Sequence, residues 1–175
     1  MFDQNLRRYC KSIVREVPIP RPFSASALCR ELSVRRSRRI YLHPYPQGFV
    51  GSEMPCGLWV KTQAADHIFF ESNTSRYHQD HIILHEIGHM LCNHTADDLA
   101  AQLNKPAECP QQVLKTVRLG ASEQIRGRQR TSYTTRQERE AELVASMILE
   151  RAMWDGDAAT EHERYLADAL GFNGR

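Results

Sequence analysis

The chain has 175 residues, 41% hydrophobic and 25% charged, a size and composition that suit one domain with a proper core and exclude disordered, fibrous and repeat proteins. Its 23 basic and 21 acidic residues leave a net charge of +2, too even to imply a nucleic-acid partner by itself. The opening residues lack the pattern of a signal peptide, no apolar run approaches the roughly 18 residues of a membrane span, and five widely spaced cysteines form neither a disulfide framework nor a C-x-x-C pair. The expected setting is a reducing cytoplasm, away from the membrane.

Phe2, Leu6, Cys10, Ile13, Val14 and Val17 recur at three- and four-residue steps, which predicts an amphipathic helix stopped by Pro18, Pro20 and Pro22. Ser24 or Ser26 can cap a second helix running through about Leu32, with Leu28 and Leu32 on its buried face. Arg39 to His43 is a short strand candidate ended by Pro44. Cys56 to Lys61 and His67 to Glu71 read as a hairpin.

Asn73-Thr74-Ser75 begins a helix that carries Ile82, Ile83, Leu84, Ile87, Met90 and Leu91. Ala96 to Leu103 can form a further short helix. Residues 106–133 are polar and basic, a loop over the site or a marginal helix. Thr135 reads as an N-cap with Glu138 completing a capping box, and Ala141, Val144, Ala145, Ile148 and Leu149 give the following helix its buried face. A last helix is expected over Ala158 to Leu170, ended by Gly171. The order predicts an α+β fold, a small sheet packed on helices. It would form one domain over 1–175: a helical part (1–35), sheet plus central helix (36–94), the polar segment (106–133) and C-terminal helices (134–175).

The chemistry concentrates in Leu84-His85-Glu86-Ile87-Gly88-His89-Met90-Leu91, which matches H-E-x-x-H. Four residues apart on a helix, two imidazoles share a face and can point nitrogens at one ion. Glu86 lies about 100° round the helix from His85 and can address water without being a ligand. Such a site activates water and polarises a carbonyl, while the carboxylate takes the water proton and delivers it to the leaving amine. Gly88 costs the helix about 1 kcal/mol relative to Ala, which points to a neighbouring backbone passing close by.

A catalytic zinc site needs a third protein ligand. Thr95 stands where H-E-x-x-H-x-x-G-x-x-H requires histidine, so that pattern is absent. His94 lies about 140° round a continuing helix from His89, out of phase for a ligand. It reads as exposed or as a support behind the ligands. The downstream run Glu138-Arg139-Glu140-Ala141-Glu142 offers three acids. Glu138 is claimed by the capping box, and Glu142 can orient a ligand histidine through its other ring nitrogen. Glu140, four residues before Val144 and on the inward face, is the preferred ligand, with Glu138 and Glu142 still open. Tyr133, seven residues before Glu140, is a candidate donor to an oxyanion. His81 reads as a neighbour of His85.

Three pieces resemble the ImmA/IrrE family of metallopeptidases: the strand His67 to Phe70, the run Ile82 to His94, and Glu138 to Ala145, which is similar to the family's E-x-E-A-[ND]-x-F-A stretch. Glu142 and Val144 depart from that stretch, where Asn or Asp and Phe are usual. The resemblance implies a zincin-like core with H-E-x-x-H on its central helix, zinc on His85, His89 and Glu140, and Glu86 as general base. It also implies an intracellular endopeptidase acting on a protein, a helix-turn-helix transcriptional repressor. The competing reading is a binding module that keeps the zinc fold and regulates a transcription factor without cutting it. Arg35, Arg36, Arg38 and Arg39, and the run Arg126 to Arg130, would serve a nucleic-acid-binding reading that lacks any recognised motif. Oligomeric state is not legible.

Overall fold

The computed structural model describes residues 2–45, 56–62, 64–94 and 134–154. The helices expected over Ala96 to Leu103 and Ala158 to Leu170, the segment 106–133 with Tyr133, and the run Arg126 to Arg130 lie outside the described residues. Within them the fold is α+β: α1 (Phe2–Arg15), α2 (Ala25–Arg35), β1 (Arg39–Pro44), β2 (Gly57–Lys61), β3 (Ala65–Phe70), α3 (Arg76–Leu91) and α4 (Thr135–Trp154).

The helices start where side-chain oxygens can satisfy the first free amides. Ser24 caps α2 by accepting from the Ala27 amide at 3.1 Å, and Ser75 caps α3 by accepting from the His78 amide at 3.3 Å. At α4 the capping box falls one residue earlier than Thr135 and Glu138. The Thr134 hydroxyl accepts from the Gln137 amide at 3.3 Å, and Gln137 Oε1 accepts from the Thr134 amide at 2.8 Å. A glutamine therefore completes the box, and Glu138 is released from it.

The sheet has the order β1-β3-β2. β2 and β3 form the expected antiparallel hairpin, with Lys61 opposite Asp66 and Gly57 opposite Phe70. β1 joins β3 in parallel, with Arg39 opposite Ala65 and Pro44 opposite Phe70. β3 is covered on both faces, and the side chains from Ala65 to Phe69 are all buried. Asp66 within it is fully buried and collects three donors: Arg36 Nη1 and Arg38 Nε at 3.0 Å and Trp59 Nε1 at 3.2 Å. Arg38 also donates to the carbonyls of Thr62 and Ala65. Two members of the basic cluster thus tie the α2–β1 turn to the hairpin. A buried carboxylate needs such partners to offset its desolvation.

α3 is buried almost all round over Ile82 to Met90, as a central helix must be. It packs on β2 and β3 on one side and on α2 and α4 on others. Val144 and Ile148 of α4, Cys10 and Val14 of α1, and Leu28 and Leu32 of α2 keep four-residue steps into one shared core with Ile83, Leu84 and Ile87. Arg151 of α4 donates to the carbonyls of Val14 and Val17, fastening the end of α1. No helix among the described residues is long and apolar enough to cross a membrane.

Candidate metal centre

α3 and α4 touch at Gly88 and Ala141, where the absence of a side chain lets the backbones meet. A Cβ placed on Gly88 would lie 2.6 Å from the Ala141 carbonyl oxygen. This close approach brings the histidine face of α3 against the acidic face of α4.

His85 Nε2 and His89 Nε2 are 3.1 Å apart. Glu138 Oε2 lies 3.3 Å from His85 Nε2 and 3.9 Å from His89 Nε2. Bonds of 2.0–2.1 Å to a tetrahedral ion imply ligand-to-ligand edges of about 3.4 Å. The three atoms therefore form a face of the size one divalent ion requires, and the donor set of two imidazoles and a carboxylate suits such an ion. Burial, with the neighbouring His85 and His94, pushes His89 down to about 3, so its imidazole stays neutral and able to coordinate at ordinary pH. Glu138 Oε1 and Glu86 Oε2 are buried without a hydrogen-bond partner among the described residues. Either oxygen could accept from water or meet a bound ion.

The structure brings His85 and His89 together as the motif requires, but it does not bring Glu140 to them. Glu138 meets the histidines instead. Glu140 is inward and buried, yet it turns to another partner: its Oε2 lies 2.8 Å from His94 Nε2, and its Oε1 accepts from Arg136 Nε at 2.8 Å. Burial alone would raise the Glu140 carboxyl, but hydrogen bonds from Arg136 and His94 outweigh it and hold the group below its ordinary value. The physical reason is helical phase: residues two apart lie about 200° round a helix, so Glu138 and Glu140 cannot share a face. Glu142, four residues after Glu138, does share its face. Its Oε2 lies 3.3 Å from His85 Nδ1 and its Oε1 3.6 Å from His81 Nε2, the supporting position expected for it.

His94 takes the supporting place behind His89 rather than an exposed one, and it reaches that place because the helix does not continue. Asn93 adopts a left-handed conformation (φ 53°), the Asn93 amide donates to the Met90 carbonyl at 3.2 Å, and the His94 amide donates to the His89 carbonyl at 3.0 Å. This paired closure folds His94 back under the helix end. Its Nδ1 reaches His89 Nδ1 at 3.0 Å, and the ring is buried. An asparagine two residues after the last apolar residue was the available sequence signal. Cys92, His94 and Glu140 make a second convergent group that could hold a metal.

Glu86 is buried against β2, where Gly57 makes room: a Cβ there would lie 2.6 Å from Glu86 Oε1. Burial pushes its carboxyl up to about 8, with Glu138 adding to the rise and the Trp59 backbone opposing it. Tyr45, buried beyond β1, was not singled out by any sequence pattern. Burial and the charge of Glu86 raise its phenol, which puts it in the electrostatic neighbourhood of the site.

Comparison of the chain with known protein families, with curated proteins and with solved structures returns no match.

Proposed function

We propose that the chain is an intracellular zinc-dependent endopeptidase with a zincin-like core, of the ImmA/IrrE type, acting on a helix-turn-helix transcriptional repressor. The observation that carries this reading is the triangle of His85 Nε2, His89 Nε2 and Glu138 Oε2, with edges of 3.1, 3.3 and 3.9 Å, beside the buried Glu86. Those three residues would hold the ion. When bound, zinc supplies Lewis-acid activation of water and of a peptide carbonyl.

The remaining work falls to the chain. Glu142 holds the His85 ring through Nδ1. Glu86 takes the proton of the attacking water on its unpartnered Oε2 and returns it to the leaving amine. β2 runs past Glu86 at Gly57, and no further strand pairs its outer edge among the described residues. An extended substrate segment can add there as a strand, which favours an unfolded or loop segment of a protein as substrate.

The test is cleavage of purified helix-turn-helix repressors from the source cell by zinc-loaded protein, with new termini read by mass spectrometry. Cleavage by wild type and none by Glu86→Gln is expected. Stoichiometric repressor binding without cleavage would favour the non-cleaving module.

A further inference from the structure

His89 is backed by a chain of groups that the H-E-x-x-H motif does not contain. His89 Nδ1 lies 3.0 Å from His94 Nδ1, His94 Nε2 lies 2.8 Å from Glu140 Oε2, and Glu140 Oε1 accepts from Arg136 Nε at 2.8 Å. His89, His94 and Glu140 are all buried.

The chemistry of the far end dictates the near end. Glu140, carrying the Arg136 hydrogen bond, is a carboxylate and only accepts. His94 Nε2 must therefore carry the hydrogen and donate to it. With that one hydrogen on the ring, His94 Nδ1 is the acceptor and takes a hydrogen bond from His89. His89 Nδ1 must carry the hydrogen, and its Nε2 is left bare and turned toward His85 Nε2 and Glu138 Oε2.

We propose that His94 and Glu140 are positioning residues that fix His89 in the ring orientation and tautomer needed to bind the metal. The proposal rests on the metal centre described above. The backbone supports it, since the left-handed Asn93 and the hydrogen bond from the His94 amide to the His89 carbonyl seat the second imidazole behind the first. The alternative use of the same residues is a separate ion on Cys92, His94 and Glu140. Two features oppose it: the Arg136 guanidinium occupies Glu140, and burial pushes the Cys92 thiol up to about 12.

The test measures zinc affinity of the full chain by chelator competition, with circular dichroism of the metal-free protein as a fold control. Variants are His94→Phe, His94→Gln and Glu140→Gln. Loss of an outer partner typically weakens metal binding roughly 10- to 100-fold, the change expected for His94→Phe. The His94→Gln amide can accept from His89 and donate to Glu140, so it should bind within about fivefold of wild type. Nitrogen-15 histidine spectra of the zinc-loaded wild type should show hydrogen on His89 Nδ1. A folded His94→Phe with wild-type affinity would overturn the proposal, as would hydrogen on His89 Nε2. If His94→Phe fails to fold, Glu140→Gln decides: weakened binding supports the relay and unchanged binding overturns it. A second zinc lost in Cys92→Ala would also overturn it. A folded wild type that binds no zinc would instead overturn the metal centre itself.

Discussion

Gly88 of α3 lies against Ala141 of α4 so closely that a Cβ on the glycine would come within 2.8 Å of the Ala141 Cα and 2.6 Å of its carbonyl oxygen. His85 and His89 stand three before and one after Gly88, and Glu138 and Glu142 hold the same places about Ala141. The crossing therefore faces one pair squarely with the other. Gly88→Ala should destabilise the protein even though alanine favours the helix by about 1 kcal/mol. The added methyl meets backbone that cannot rotate away, and such overpacking costs about 1–3 kcal/mol. Denaturant melts should show the loss, and chelator competition should show weaker zinc binding, because the methyl moves Glu138 from the histidines.

Gly57 plays the corresponding part for Glu86, the proposed general base. A Cβ there would lie 2.6 Å from Glu86 Oε1 and 2.7 Å from Ile82 Cγ2. Both neighbours are side-chain atoms, so Gly57→Ala should fold and keep its zinc while displacing Glu86. A displacement approaching 1 Å lowers turnover on the order of 100-fold. Peptide hydrolysis and zinc content measured on the same sample check this, and unchanged turnover would mean that Glu86 does not act from the position seen.

Glu86 should also lower the stability of the metal-free fold. Its carboxyl rises from an ordinary 4.5 to about 8 on folding. Between those values the folded chain holds a proton that the unfolded chain has released. Stability contributed by this group is thus greatest below about 4.5, falls as pH rises to about 8, and then levels off. Glu86→Gln removes the effect and should stabilise the metal-free protein at pH 8 by on the order of 1–3 kcal/mol while abolishing hydrolysis. Urea midpoints at pH 5 and pH 8 measure the difference, and equal gains at both would contradict the assignment.

Much of this arrangement was legible in the residues. The four-residue steps through Cys10 and Val14, the cap at Ser75, the hairpin and the H-E-x-x-H face all appear where local patterning predicts them. The carboxylate that meets the histidines was not, because Thr134-x-x-Gln137 and Thr135-x-x-Glu138 both satisfy a capping box. Choosing the later register occupies Glu138 and passes the ligand role to Glu140. Only tertiary packing reveals that Glu140 faces His94. His94 itself depends on one left-handed residue, Asn93, which ends the helix before its phase can be extrapolated. The parallel pairing of β1 with β3 has no local signature either. It is fixed at long range by Asp66 gathering Arg36 and Arg38.

The most direct test of the central claim is zinc content after dialysis, by elemental analysis of wild type, His89→Ala, Glu138→Ala and Glu140→Ala. About one zinc per chain is expected in wild type, with loss in His89→Ala and Glu138→Ala. Glu140→Ala should still fill when zinc is in excess, though with reduced affinity. A folded wild type without zinc, or a Glu138→Ala that keeps its zinc while Glu140→Ala cannot be filled, would contradict the ligand set.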